Sequence, residues 1–210
     1  MTMPQMSHAF SNPDCWAGGS IDALMYFSGS SAAIAAEISH AIWSTPALDG
    51  PYLDRNRDPE LQIRYEFSGF GFDGYQTLFG RIQLHDGQLA TFTQSTIIDD
   101  DGLWIYAGPP IGGLPEAWDV GAYPFEDGKP TTWLCPLITQ LRELAGRVHD
   151  IHPMQAATYG WLTLIDVDLV VGAVGGKIPE ERWAGISIFR DNREVFYPAT
   201  HLGAPIRKGV

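Results

Sequence analysis

Five residues in the second half of the chain have the types and spacing for metal chemistry. His149, Asp150 and His152 fall within four positions, and Asp166 and Asp168 follow where alternate residues would share one face of a strand. Imidazole and carboxylate ligands together suit zinc and related divalent ions. The HDIH spacing is not a standard zinc motif, however, and histidines at a helix C-terminus also satisfy carbonyls and the helix dipole. These residues therefore stand as candidates only, and no metal or other cofactor is assigned. Asp99-Asp100-Asp101-Gly102 gathers oxygens in a turn but lacks the alternating ligands and terminal Glu of a calcium loop. Glu180 and Glu181 are adjacent carboxylates, but neighbouring helical positions diverge, which suits a helix-start charge better than acid/base work. No GxSxG, P-loop or HExxH occurs. No catalytic residue is assigned, and a metal-dependent enzyme using His149, His152, Asp166 and Asp168 is the alternative to a binding protein.

Acids and rings point to binding. The chain has 210 residues, with 25 acidic and 13 basic residues and a net charge of −12. Such a surface repels nucleic-acid phosphates and anionic lipid heads, so neither is expected as a partner. The charge is uneven: no Lys or Arg precedes Arg55, and none occurs between Ile82 and Gly128. Within that second span lie Asp99, Asp100, Asp101, Trp104, Glu116, Trp118, Asp119, Tyr123, Glu126 and Asp127. Acids interleaved with rings suit a docking face for a basic protein, rings being enriched where binding energy concentrates. The plainer reading of the acids is a solvated face that maintains solubility. Exposed rings would also suit a carbohydrate or small-ligand module.

These residues need a scaffold, and the patterning predicts one α+β domain: a mostly antiparallel twisted sheet with two main helices, about 32–44 and 132–149, packed on it. Ile21–Phe27 reads as a strand, and Ser30 or Ser31 caps the first helix, in which Ile34, Ile38 and Ile42 share one face. Residues 45–60 read as a loop, and Leu61–Phe67 alternates as a half-buried strand. A meander follows, with strands over Tyr75–Leu84, Gln88–Ile98 and Leu103–Ala107 and an Asp-Gly turn at Asp86-Gly87. Residues 108–130 form a long loop with one helical turn at Leu114–Trp118. Thr131 or Thr132 caps the second helix, whose stripe is Leu134, Leu137, Ile138, Leu141, Leu144, Ala145 and Val148. Ala157–Val174 supplies one or two buried strands, Pro179–Trp183 a short helical turn, and Gly185–Phe189 with Glu194–Tyr197 a hairpin. Residues 1–18 and 201–210 are expected to be loose. Cys135, in an apolar helix start, is expected to be buried. No secretory signal or membrane span is evident, which implies a cytoplasmic protein.

Two segments, AIWSTPALDGPY and IPEERWAGISIFRDNREVFYPAT, resemble small acidic immunity proteins encoded beside bacterial polymorphic or contact-dependent toxins. The resemblance implies a cytoplasmic, non-enzymatic protein. It also implies tight binding of a cognate toxin domain, over that domain's basic active-site cleft.

Overall fold

The computed structural model describes residues 10–29, 31–67, 74–118, 133–161, 167–190 and 193–201. Its frame is an antiparallel sheet of strands β1 (Ile21–Phe27), β2 (Leu48–Tyr52), β3 (Tyr75–Gln83), β4 (Leu89–Ile98), β5 (Leu103–Gly108), β6 (Ala156–Trp161), β7 (Gly185–Arg190) and β8 (Arg193–Tyr197). The strand order is β2-β3-β4-β5-β1-β6-β7-β8. β1 lies near the middle, paired with β5 and β6. Apart from Asp22, its run IDALMYF is apolar on consecutive positions, because both faces of that strand are covered.

One face carries α1 (Ala32–Trp43) and α2 (Leu134–Ile151). Ser31 caps α1, its hydroxyl accepting the Ile34 N–H at 3.1 Å. Ile38 and Ile42 are buried and Ile34 is partly buried against the core. Every member of the expected α2 stripe is buried, against β1 and β6 among others. A fully buried Leu contributes about 1.5–3 kcal/mol, so this stripe is the main anchor of α2. The other face carries α3 (Val167–Val174), whose Val170 and Ala173 pack on Leu24, Trp104 and Ile186 in two smaller apolar clusters.

Several sequence expectations are corrected. The 45–60 loop contains β2, which bonds to the edge of β3. Gly80 makes the fit possible: a Cβ there would lie 2.3 Å from the Trp43 ring. With that edge occupied, Leu61–Phe67 is not a strand. A 3₁₀ turn at Pro59–Leu61 leads into irregular chain held by the Tyr65 N–H on the Pro51 carbonyl. Leu61 and Ile63 are exposed, Ile63 at 90%, while Tyr65 and Phe67 reach the core. The apolar run after β6 becomes α3 rather than a second strand. Pro179–Trp183 forms bends, with the Arg182 guanidinium holding the Pro179 and Pro198 carbonyls in place of helical bonds. The helical turn expected at Leu114–Trp118 forms as the 3₁₀ turn Glu116–Trp118, and a further 3₁₀ turn, Ile111–Gly113, precedes it.

At the N-terminus, residues 10–18 are packed rather than loose. Phe10 and Cys15 are buried, and the Cys15 carbonyl accepts the Thr91 hydroxyl. Cys135 is exposed rather than buried as expected, and Cys15 is buried. Trp133, with no capping side-chain bond, occupies the position before α2, while Thr131 and Thr132 lie outside the described residues. Among the described residues, no helix is long and apolar enough to cross a membrane.

Candidate functional site

The acidic stretch divides between the two ends of β4, a ten-residue strand that separates them by roughly 30 Å. At the β4–β5 end, Asp99, Asp100 and Asp101 are all exposed. The Asp99 carboxylate accepts the N–H groups of Asp101 and Gly102 and the Trp104 indole N–H. Trp104 itself is 1% exposed and stacks on Tyr26 at 4.3 Å. Its expected place on a partner surface is therefore corrected: the inward pleat position that makes it core also brings its N–H to the turn.

At the β3–β4 end, the Asp86 carboxylate accepts the Gln88 N–H and amide and, at 2.8 Å, the Trp118 indole N–H. Burial pushes the Asp86 carboxyl up, but these hydrogen bonds outweigh it and hold the group below its ordinary value. Trp118 is half-buried, stacked on Trp133 at 5.5 Å and beside His85 at 5.4 Å. Glu116 is exposed nearby in sequence. Asp119, Tyr123, Glu126 and Asp127 lie outside the described residues. The expected single face thus resolves into two acidic ends, with Asp99–Asp101 far from Glu116 and Trp118. Exposed ring platforms for a sugar are scarce: Tyr75 is the one ring among the large exposed hydrophobics of the described residues.

The metal candidates are not brought together. The His149 ring stacks on Phe189 at 4.2 Å, and its Nδ1 accepts the Met154 N–H. His152 ends α2 and meets Glu37 of α1 at 3.2 Å. Asp168 lies in the first turn of α3, on the opposite face of the sheet, and Asp150 is exposed on α2. Asp166 lies outside the described residues. No group of three His, Cys, Asp or Glu among the described residues can hold a metal. The shared strand face imagined for Asp166 and Asp168 fails because Asp168 is helical.

Two constellations escaped sequence reading because their members are far apart in the chain. Asp49 of β2 is buried and accepts both Arg81 and Arg64, with the Tyr52 hydroxyl at 3.2 Å. Arg142 of α2 forks onto Glu194 of β8 through two 2.7 Å bonds and lies 4.1 Å over the Phe196 ring. Arg142 holds the Glu194 carboxyl below its usual range, against partial burial. Both clamp elements to the sheet, β2 to β3 and α2 to β8. A third feature is the buried acid Asp22 of β1, 2% exposed and bonded to the Ser20 hydroxyl. Burial pushes its carboxyl up to about 7, the Ser20 bond opposing. It sits against Gly108, where a Cβ would come within 2.7 Å of its Oδ1.

A groove of about 830 Å³ runs between the outer faces of α1 and the C-terminal turns of α2. Ala36, His40 and Ala41 line one wall, and Arg147, Asp150 and Ile151 the other. A smaller cavity of about 470 Å³ shares His40, Ser44 and Phe67 with it and continues toward Pro51 and Tyr65. Nothing in the composition marks it; the helical spacing 147, 150, 151 on the outer side of α2 was its one trace.

In comparisons with known proteins, no family model, no curated protein and no solved structure matches this chain. Any functional reading therefore rests on its own residues.

Proposed function

We propose that the chain is a non-enzymatic binding protein of the immunity type, which neutralises a cationic toxin domain by covering its site. The observation that carries this reading is the span Ile82–Gly128, which holds no Lys or Arg. Its described part brings Asp86 and Trp118 into contact at one end of the sheet, with Glu116 exposed beside them. The hydrogen bonds from Gln88 and Trp118 favour the charged form of Asp86 at that end. Acids on the rim would speed encounter with a basic domain, and a ring at the centre would set the lifetime of the complex. Two free cysteines accord with a cytoplasmic setting.

Co-expression with the product of the adjacent gene tests the proposal. A complex that survives purification and is weakened by Trp118→Ala and Glu116→Lys is expected. No complex with a basic neighbour, or one indifferent to both substitutions, would contradict it.

A further inference from the structure

We propose that the chain self-associates through β8, two copies pairing this edge strand antiparallel about a twofold axis that passes between their Val195 residues. The sheet has two edges, and they are built differently. β2 is guarded: it contains Pro51, its register with β3 shifts between Asp49 and Tyr52, and the irregular chain beyond it donates the Tyr65 N–H to the Pro51 carbonyl. β8 has none of these devices. It pairs with β7 at five successive positions without a register shift, no proline interrupts it, and Arg193, Glu194 and Val195 are exposed. Such an edge offers a row of backbone groups to another strand. The printed bonds say which groups these are. The Phe189 N–H bonds the Gln155 carbonyl on the β6 side, so Ile186, Ile188 and Arg190 turn their backbone groups toward β8. Their partners Tyr197, Val195 and Arg193 are thereby satisfied. The N–H and carbonyl groups of Glu194 and Phe196 point outward, and no turn or loop among the described residues bonds them.

The sequence of β8 selects a second copy of itself in one register. Three antiparallel self-pairings set outward-facing residues opposite one another. Centring on Glu194 places two carboxylates directly across from each other, which is destabilising. Centring on Phe196 places Glu194 against Pro198, which has no N–H to donate. Centring on Val195 places Glu194 against the second copy's Phe196, and all four outward groups of each strand find partners. Val195, 48% exposed, then meets its own copy in a pair of the closely approaching kind. Arg193 faces the second copy's Tyr197, and guanidinium and ring attract. Glu194 does not oppose the approach, because Arg142 of its own chain forks onto it through two 2.7 Å bonds. Nor do the acids of the Ile82–Gly128 span: β5, β1, β6 and β7 separate β4 from β8, roughly 24 Å at ordinary strand spacing. That is well beyond the screening length of about 8 Å at physiological salt. The pair therefore leaves the acidic sheet ends open and displays each of them twice.

Sedimentation equilibrium of the full chain tests this. The contact is short and falls below the ~1,200 Å² of standard interfaces, so a monomer–dimer equilibrium with Kd between about 10 μM and 1 mM is expected. Val195→Lys and Val195→Glu each set like charges face to face across the axis and should raise Kd at least about tenfold. An equimolar mixture of the two variants should associate again, at wild-type strength or better, because residue 195 meets its own copy in this register alone. Far-ultraviolet circular dichroism of each variant checks that the fold is kept. Glu116→Lys should leave self-association unchanged, so failure at the sheet edge and failure at the acidic end are separable. A chain that stays monomeric up to about 1 mM, the weak end of specific association, would overturn the interface. Association indifferent to both Val195 substitutions would overturn its placement on β8. Variants that dissociate alone and do not associate when mixed would overturn the register.

Discussion

Both ends of β4 use one chemical device, a turn carboxylate that accepts an indole N–H, and they put it to different ends. At the β4–β5 turn, Asp99 holds Trp104 five residues away in the same hairpin, and the ring is core. At the β3–β4 turn, Asp86 holds Trp118 across 32 residues, and the ring stays half-exposed on a segment outside the sheet. The first pair closes a hairpin; the second ties a separate segment to the sheet and leaves an anionic, aromatic surface. Composition alone does not distinguish them, because each is a Trp near acids in a cation-free stretch. The pleat does: Trp104 occupies a strand position on the face that α3 covers, and Trp118 occupies none.

This contrast can be broken by experiment. Trp104→Ala should cost about 3–5 kcal/mol by chemical denaturation, the range for a large buried ring. Trp118→Ala should cost well under half of that, while weakening partner binding most. Equal losses would erase the distinction between the two ends.

The next largest effect concerns Asp22, a buried acid that makes no ion pair among the described residues. Its carboxyl is pushed up to about 7 by burial, from an ordinary value of 3.8. Between those values the folded chain keeps a proton that the unfolded chain has released, so stability falls as pH rises from about 4 to about 7 and then levels off. Asp22→Asn should flatten this dependence and stabilise the protein at pH 8 by up to about 4 kcal/mol. Unfolding curves across that range check it; an unchanged slope would contradict it. Asp86 behaves in the opposite sense, because its folded carboxyl lies below the ordinary value. The stability it contributes is present above the ordinary value and is lost as pH falls through the lowered folded one.

A smaller effect separates members of a single turn. Asp99→Ala removes the acceptor for two backbone N–H groups and one indole, and should cost about 1–2 kcal/mol. Asp100→Lys, at an exposed neighbour, should change stability by no more than about 0.5 kcal/mol. If Asp100→Lys also leaves partner association at wild-type speed while Glu116→Lys slows it, the two ends of β4 differ in function as well as in build.

Much of the scaffold is legible in the sequence where one signal dominates. The three- and four-residue spacing of the α2 stripe admits one solution, and Asp86-Gly87 sets the β3–β4 hairpin. Reading fails where two elements compete for one place. Leu61–Phe67 alternates well, but Leu48–Tyr52 occupies the edge of β3, its pairing hidden by turn-like residues and a register shift between Asp49 and Tyr52. Val167–Val174 has strand composition, yet it is a helix whose Val170 and Ala173 pack on the sheet. The candidate sites follow the same division. The charge asymmetry that marks the sheet end is a property of sequence, whereas the groove exists only once α1 and α2 lie side by side.

Hydrogen–deuterium exchange of the complex with the adjacent gene's product tests the central claim most directly. Slowed exchange at residues 84–88 and 111–118, with Asp99–Gly102 unchanged, is the predicted result. Protection confined to the Asp99–Gly102 turn, or none at either end of β4, would contradict it.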